Sequence, residues 1–155
     1  MFGLFSRKHQ ICVPLDGRLI SLSSVSDPVF ASEMMGKGWA IEPTSNTIVS
    51  PINGEVVMIA DTKHAIGLKT KENVELLIHV GIDTVALNGE GFEIKVHEGD
   101  KIKIGDCLMI VDFQKLISKD YVTTTMMILT NEAVQYKESE KLGQNVMEGD
   151  ILLDY

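Results

Sequence analysis

The chain has 155 residues and a mass of 17.1 kDa, enough for one domain and too few for two ordinary ones. Apolar residues make up 45% and charged residues 23%, which excludes a disordered tail, and no apolar run approaches the roughly 20 residues of a membrane helix. Fourteen Lys and Arg against 22 Asp and Glu give a net charge of −8; so acidic a chain has no footprint for a phosphate backbone, which argues against nucleic acid and for small molecules or basic protein surfaces.

In chain order, Met1-Phe2-Gly3-Leu4-Phe5-Ser6-Arg7-Lys8 sets three bulky apolar side chains before two cations. It reads as part of a flexible N-terminal tail, residues 1–10, able to make at most a weak contact with an anionic membrane surface. Residues 11–155 read as a single domain. Cys12 and Cys107 form no C-x-x-C pair, and no cleavable signal peptide precedes them. Two reduced, mostly buried thiols in a cytoplasmic protein follow.

From Ile11 onward the chain reads as short strands broken by turn residues, with Gly-Asp, Asn-Gly and Pro-x-x-Gly signals recurring. Two short helices are expected. Asp27-Pro28 opens the first, with an acidic cap and proline at the first helical position, and Gly36 closes it; Asp112 caps the second, running to Ile117. Two motifs repeat. Pro14-Leu15-Asp16-Gly17-Arg18-Leu19-Ile20 matches Pro51-Ile52-Asn53-Gly54-Glu55-Val56-Val57, and the segment from Gly99 to Leu108 matches that from Gly143 to Leu152. The fold class expected is all-β: an antiparallel sandwich or flattened barrel with a duplicated strand-turn motif.

Of four histidines, His9 falls in the expected tail and His97 in a charged stretch, both as ordinary surface residues. His79 differs. Val74, Leu76, Ile78 and Val80 alternate as a core face, which leaves Glu75, Leu77 and His79 on the other. Upstream, Val56 to His64 reads as a strand, with Thr62 and His64 on one face. A hairpin with a two-residue loop at Lys71-Glu72 would pair Thr70 with Asn73. His64 would then stand directly opposite His79, with Cβ atoms roughly 5 Å apart. A slip of one residue would separate them onto opposite faces. Two imidazoles and a threonine hydroxyl leave three chemistries open. A metal site would lack a third ligand within the chain. Serine-type catalysis lacks its G-x-S-x-G elbow. The third is nucleophilic attack on phosphorus by one ring while the other steadies the phosphoryl oxygens.

The run Glu75-Leu76-Leu77-Ile78-His79-Val80-Gly81-Ile82-Asp83-Thr84-Val85, continued by Leu87-Asn88-Gly89-Glu90-Gly91-Phe92, resembles the phosphorylation-site signature of the glucose-type enzyme IIA components of the bacterial phosphoenolpyruvate:sugar phosphotransferase system. Asp27-Pro28-Val29-Phe30-Ala31, Gly36 to Pro43, and His64-Ala65-Ile66-Gly67 resemble further blocks of that family, in order. Asn73 departs from the family's usual glycine, a swap that a turn permits. The resemblance implies an antiparallel β-sandwich. It also implies a phosphotransferase role: His79 accepts a phosphoryl group from phospho-HPr and passes it to a cysteine of an enzyme IIB domain during sugar uptake. His64 would stabilise the phosphoryl group, Thr62 would orient His64, and Nδ1–H of His79 would bond a backbone carbonyl around Gly81. No cofactor takes part, and no metal is required. Exposed apolar residues around His79 (Val29, Phe30 and Val85) would dock the partners, with Asp27 and Asp83 as acidic points.

The alternative within the same family is a regulatory module that binds other proteins according to phosphorylation state. A metal held by His64 and His79 could then be completed by the partner's carboxylate. Lipoyl or biotinyl carriers share the turn and strand motifs but need a Met-Lys-Met or Asp-Lys-Ala tip, and lysostaphin-like zinc peptidases need a His-x-His; the chain has none of these.

Overall fold

Turn residues cut the chain into short strands. The computed structural model describes residues 9–155, and the tail expectation for 1–8, with its membrane contact, lies outside them. The strands are β1 (Gln10–Cys12), β2 (Gly17–Ile20), β3 (Gly38–Pro43), β4 (Thr47–Val49), β5 (Gly54–Ile59), β6 (Ala65–Lys69), β7 (Glu75–Val80), β8 (Phe92–Ile94), β9 (Lys101–Ile102), β10 (Cys107–Val111), β11 (Thr125–Leu129), β12 (Asn145–Val146) and β13 (Ile151–Asp154). Two short helices, α1 (Pro28–Ala31) and α2 (Phe113–Ser118), interrupt them. The strands form an eight-stranded sheet in the order β12-β2-β3-β11-β7-β6-β5-β9, a three-stranded sheet β4-β10-β8, and the pair β1-β13. Every pairing is antiparallel, as expected. The core lies between the sheets: Leu19, Ile41, Ile66, Leu68 and Ile78 of the large sheet join Ile11, Ile48, Leu108 and Leu153 of the smaller ones in one apolar cluster.

The repeated motifs are a structural duplication. Gly17 begins β2 opposite Val146 of β12, and Gly54 begins β5 opposite Ile102 of β9, so the two corners close the two edges of the large sheet. The third residue of the proline motif is Asp or Asn because its side chain has a job. Asp16 Oδ1 accepts from the Glu148 N–H at 2.8 Å, and Asn53 Oδ1 accepts from the Ile104 N–H at 2.9 Å. The following glycine is required by space. A Cβ on Gly17 would collide with the Glu42 carbonyl, and one on Gly54 with the Lys69 carbonyl. The Gly-Asp pairs match as well: Asp106 and Asp150 each accept the backbone N–H three residues upstream, at 2.8 and 3.0 Å.

Two expectations need correction. α1 stops after one turn instead of reaching Gly36, because Glu33 takes a left-handed conformation (φ 60°) that no helix can continue. His9 is exposed but does not belong to a loose tail. Its backbone exchanges hydrogen bonds with Tyr155 (2.8 and 3.2 Å), and its ring stacks on Tyr155 at 5.4 Å. Order therefore begins at least two residues before Ile11. α2 and its Asp112 cap, which accepts from the Lys115 N–H at 3.1 Å, agree with expectation. So do the free cysteines, Cys12 buried and Cys107 partly so.

Candidate active site

On β7 the core face is Leu76, Ile78 and Val80, while Glu75, Leu77 and His79 are half-buried on the other side, as the alternation predicts. That second face is not bare. Leu22, Val25, Phe30, Ala40, Met126 and Ile128 form a smaller apolar cluster on it, with Leu77 and Ile82 packed against them. α1 supplies one wall. The Asp27 carboxylate caps it by accepting the Val29 N–H at 2.8 Å, and the single turn that follows brings the Phe30 ring within 4.8 Å of the His79 ring, centroid to centroid. Phe30 is only 6% exposed, so it underlies His79 rather than offering a docking surface. Val29 (42%) and Val85 (52%) are the exposed apolar residues of the expected set.

The expected hairpin register is off by one residue. The β6–β7 loop holds three residues, 71–73, not two: the Asn73 N–H bonds the Thr70 carbonyl at 3.1 Å and the Thr70 N–H bonds the Val74 carbonyl at 3.0 Å. Asn73 lies at φ 70°, the left-handed position that a three-residue hairpin loop needs. His79 therefore faces Ala65, not His64, and on its other side Met126 of β11. The Val80 N–H bonds the His64 carbonyl at 2.8 Å, a pairing that would send His64 to the core face if its strand ran on. It does not run on. β5 ends at Ile59, Thr62 to His64 lie in a turn, and Lys63 at φ 64° turns the chain out of strand alternation. His64 thus folds back over small Ala65, and the two imidazoles meet edge to face, centroids 4.9 Å apart at 84°. The Thr62 hydroxyl lies 2.7 Å from His64 Nδ1, which fixes that ring's orientation.

Burial chiefly, and His64 beside it, pull the His79 pKa down to about 4, against smaller raising effects of the Gly81 backbone, Asp27 and Asp83. His64 is also held below the usual histidine range by burial. Both rings are neutral near pH 7. His79 Nδ1 is buried and makes no hydrogen bond of full geometry among the described residues, although the Gly81 backbone lies close enough to favour a proton on the ring. Gly81 takes φ 77°, and its N–H is tied to the Thr124 carbonyl at 2.9 Å. The arrangement offers one nucleophilic nitrogen in an apolar cup, a second imidazole beside it, and two carboxylates nearby. Among the described residues no group of three His, Cys, Asp or Glu side chains could hold a metal ion, and no helix is long and apolar enough to cross a membrane. His97 stands apart, 91% exposed at its side chain and paired with Asp100. Sequence reasoning gave no role to Ala65 or to Thr84, which is fully buried two residues past Ile82. A Gly-x-x-Thr turn directly after a strand was the available signal for Thr84.

The model of the EIIA 1 family of the phosphoenolpyruvate-dependent sugar phosphotransferase system matches residues 9–136. The chain belongs to this family. Members of the family are phosphotransferases that carry a phosphohistidine intermediate, and this chain is one of them. It is 47% identical over 133 residues to the PTS system glucose-specific EIIA component of Bacillus cereus, covering 84% of this chain and 81% of that one. It is 43% identical over 129 residues to the glucose-specific EIICBA component of Streptococcus pneumoniae, where the match takes up 83% of this chain and 18% of the longer one. Glucose permease IIA from Mycoplasma capricolum superposes with a TM-score of 0.86 at 35% identity, covering 99% of both chains.

Proposed function

We propose that the described chain works as one phosphocarrier domain that takes a phosphoryl group from phosphohistidine on HPr and delivers it to a cysteine of an EIIB domain during glucose uptake. The meeting of two neutral imidazoles in an apolar cup carries this reading. A neutral His79 presents the Nε2 lone pair to phosphorus. As that N–P bond forms, the donor's N–P bond breaks and its electron pair returns to the donor imidazole. The reverse occurs when the EIIB thiolate attacks and the bonding pair goes back to His79 Nε2. Positioning and charge stabilisation supply most phosphoryl-transfer catalysis, so two rings and backbone dipoles suffice in principle.

His64 serves as donor to the phosphoryl oxygens. That role requires a proton on its Nε2, hence Nδ1 accepting from the Thr62 hydroxyl, and the 2.7 Å contact fits it. Val29 and Val85 form the apolar docking surface, with Asp27 and Asp83 facing basic residues of HPr and EIIB; an apolar centre with a charged rim suits a transient interface. The streptococcal relative carries its EIIA match within an EIICBA chain, which supports EIIB as the receiver. The site belongs in the cytoplasm, where these donors reside. Incubation with phosphoenolpyruvate, enzyme I and HPr should add one phosphate, about 80 Da, to the native chain and none to His79→Gln; equal labelling of both would refute the assignment.

A second reading follows from the same ring pair: a regulatory partner could complete a metal site on His64 and His79 with its own carboxylate. Tight zinc binding that appears only with such a partner present would favour it.

A further inference from the structure

Thr84 is buried with no exposure, lies outside every role given above, and touches both residues that follow His79, Val80 and Gly81. Its hydroxyl donates to the Val80 carbonyl, and its methyl carbon sits 2.5 Å from where a Cβ on Gly81 would be. The two ends of one side chain therefore hold consecutive residues, Val80 by hydrogen bonding and Gly81 by contact. The segment so gripped is tightly wound, with Gly81 (φ 77°) and Asp83 (φ 61°) both left-handed. The N–H groups of Gly81 and Ile82 are spoken for by the Thr124 and Val122 carbonyls at 2.9 and 3.0 Å. Those bonds hold the strand side of the loop, and Thr84 holds the other. What remains free between them is the Gly81 carbonyl, and the Gly81 backbone lies beside the buried Nδ1 of His79, which has no hydrogen bond of full geometry.

We propose that Thr84 is a positioning residue for phosphoryl transfer: it holds the Gly81 carbonyl as the acceptor for His79 Nδ1–H and so fixes the tautomer that leaves Nε2 free for phosphorus. The proposal rests on the reading of His79 as the phosphoryl acceptor. Catalytic hydrogen bonds in a resting site are often long and tighten on loading, which fits an Nδ1 that faces a carbonyl without yet bonding it. The division of labour within Thr84 is specific. Serine keeps the hydroxyl grip on Val80 and loses the methyl; valine keeps the methyl contact and loses the hydroxyl.

Nitrogen-15 NMR of the imidazole rings in the unphosphorylated full chain tests this independently of any transfer assay. The native chain should show His79 as the Nδ1–H tautomer; an Nε2–H tautomer there overturns the proposal without any variant being made. Thr84→Val, checked as folded by its Trp39 fluorescence, should mix the tautomers and slow phosphoryl uptake from phospho-HPr by about tenfold. Thr84→Ser, which keeps the hydroxyl bond to Val80 and loses only the methyl contact, should recover most of both. A folded Thr84→Val with an unchanged tautomer, or a Thr84→Ser as impaired as Thr84→Val, would refute the role. Should His79 take no phosphate even in the native chain, the phosphocarrier reading fails, and the tautomer spectra still decide what Thr84 does.

Discussion

The connection from β2 to β3 and the connection from β5 to β6 occupy equivalent places in the two halves of the large sheet, yet they have little in common. The first runs through residues 21–37 and carries α1; the second is the tight turn at 60–64. Each half begins from the same glycine corner, with the same side-chain oxygen bonding the opposite loop. From these like starting points the long connection brings the Phe30 ring to 4.8 Å from His79, and the short one brings the His64 ring to 4.9 Å. The duplicated parts build the sheet, and the unlike parts build the site. Duplication supplies a rigid frame cheaply in sequence terms, and chemistry is placed where the copies diverge.

The largest effect expected from this contrast is a pH dependence that belongs to the site and not to the frame. His79 titrates at about 4 in the folded chain against roughly 6.5 unfolded, so between those values the unfolded state binds more protons. Stability from this group is therefore intact above about pH 6.5, falls as pH drops, and levels off below about 4. The loss is on the order of 3 kcal/mol. Urea unfolding followed by Trp39 fluorescence at pH 7 and pH 4 should show that loss in the native chain and much less of it in His79→Gln. Equal losses in both would place the acid sensitivity elsewhere.

Next comes the short connection itself. His64→Gln should still accept a phosphoryl group but hand it to EIIB about 100-fold more slowly, as when one oxyanion donor is removed. Normal onward transfer would leave His64 without its role. The frame gives the next effect. Gly17→Ala and Gly54→Ala each drive a methyl group into a partner-strand carbonyl, and each should cost about 2 kcal/mol. If the corners are true copies, the two losses measured by denaturant unfolding agree closely; a large loss at one corner alone would break the equivalence. The smallest effect is Asp112→Ala, which removes the α2 cap and should cost about 1 kcal/mol while transfer is unchanged.

Much of this was legible in the residues. The Val74, Leu76, Ile78, Val80 alternation located the face bearing His79, because a half-buried strand leaves a period of two that nothing else produces. The caps Asp27 and Asp112 and both repeats were also readable, since each is a local bonding requirement. The register was not. Whether Lys71 and Glu72 form the whole loop or share it with Asn73 turns on one left-handed residue, and asparagine suits either case. The molecule brings the two rings together by a route other than strand pairing. Regular pairing with the true register would have separated the histidines, and they meet only because Lys63 turns left-handed, a conformation a lysine does not advertise. The burial of Phe30 is not legible, because a one-turn helix has too few residues to reveal which side it buries. Thr84 is only half legible: the Gly-x-x-Thr spacing marks a turn residue, but its hydroxyl serves a carbonyl four residues back, across a loop with no period.

Which atom carries the phosphorus decides the mechanism. Phosphorus-31 NMR of the chain labelled through HPr, with His79→Gln and His64→Gln as controls, distinguishes the two ring nitrogens and the two rings. A single phosphohistidine linked through Nε2 of His79 is the expected result, present in His64→Gln and absent in His79→Gln. A phosphoryl group on Nδ1, or on His64, would contradict it.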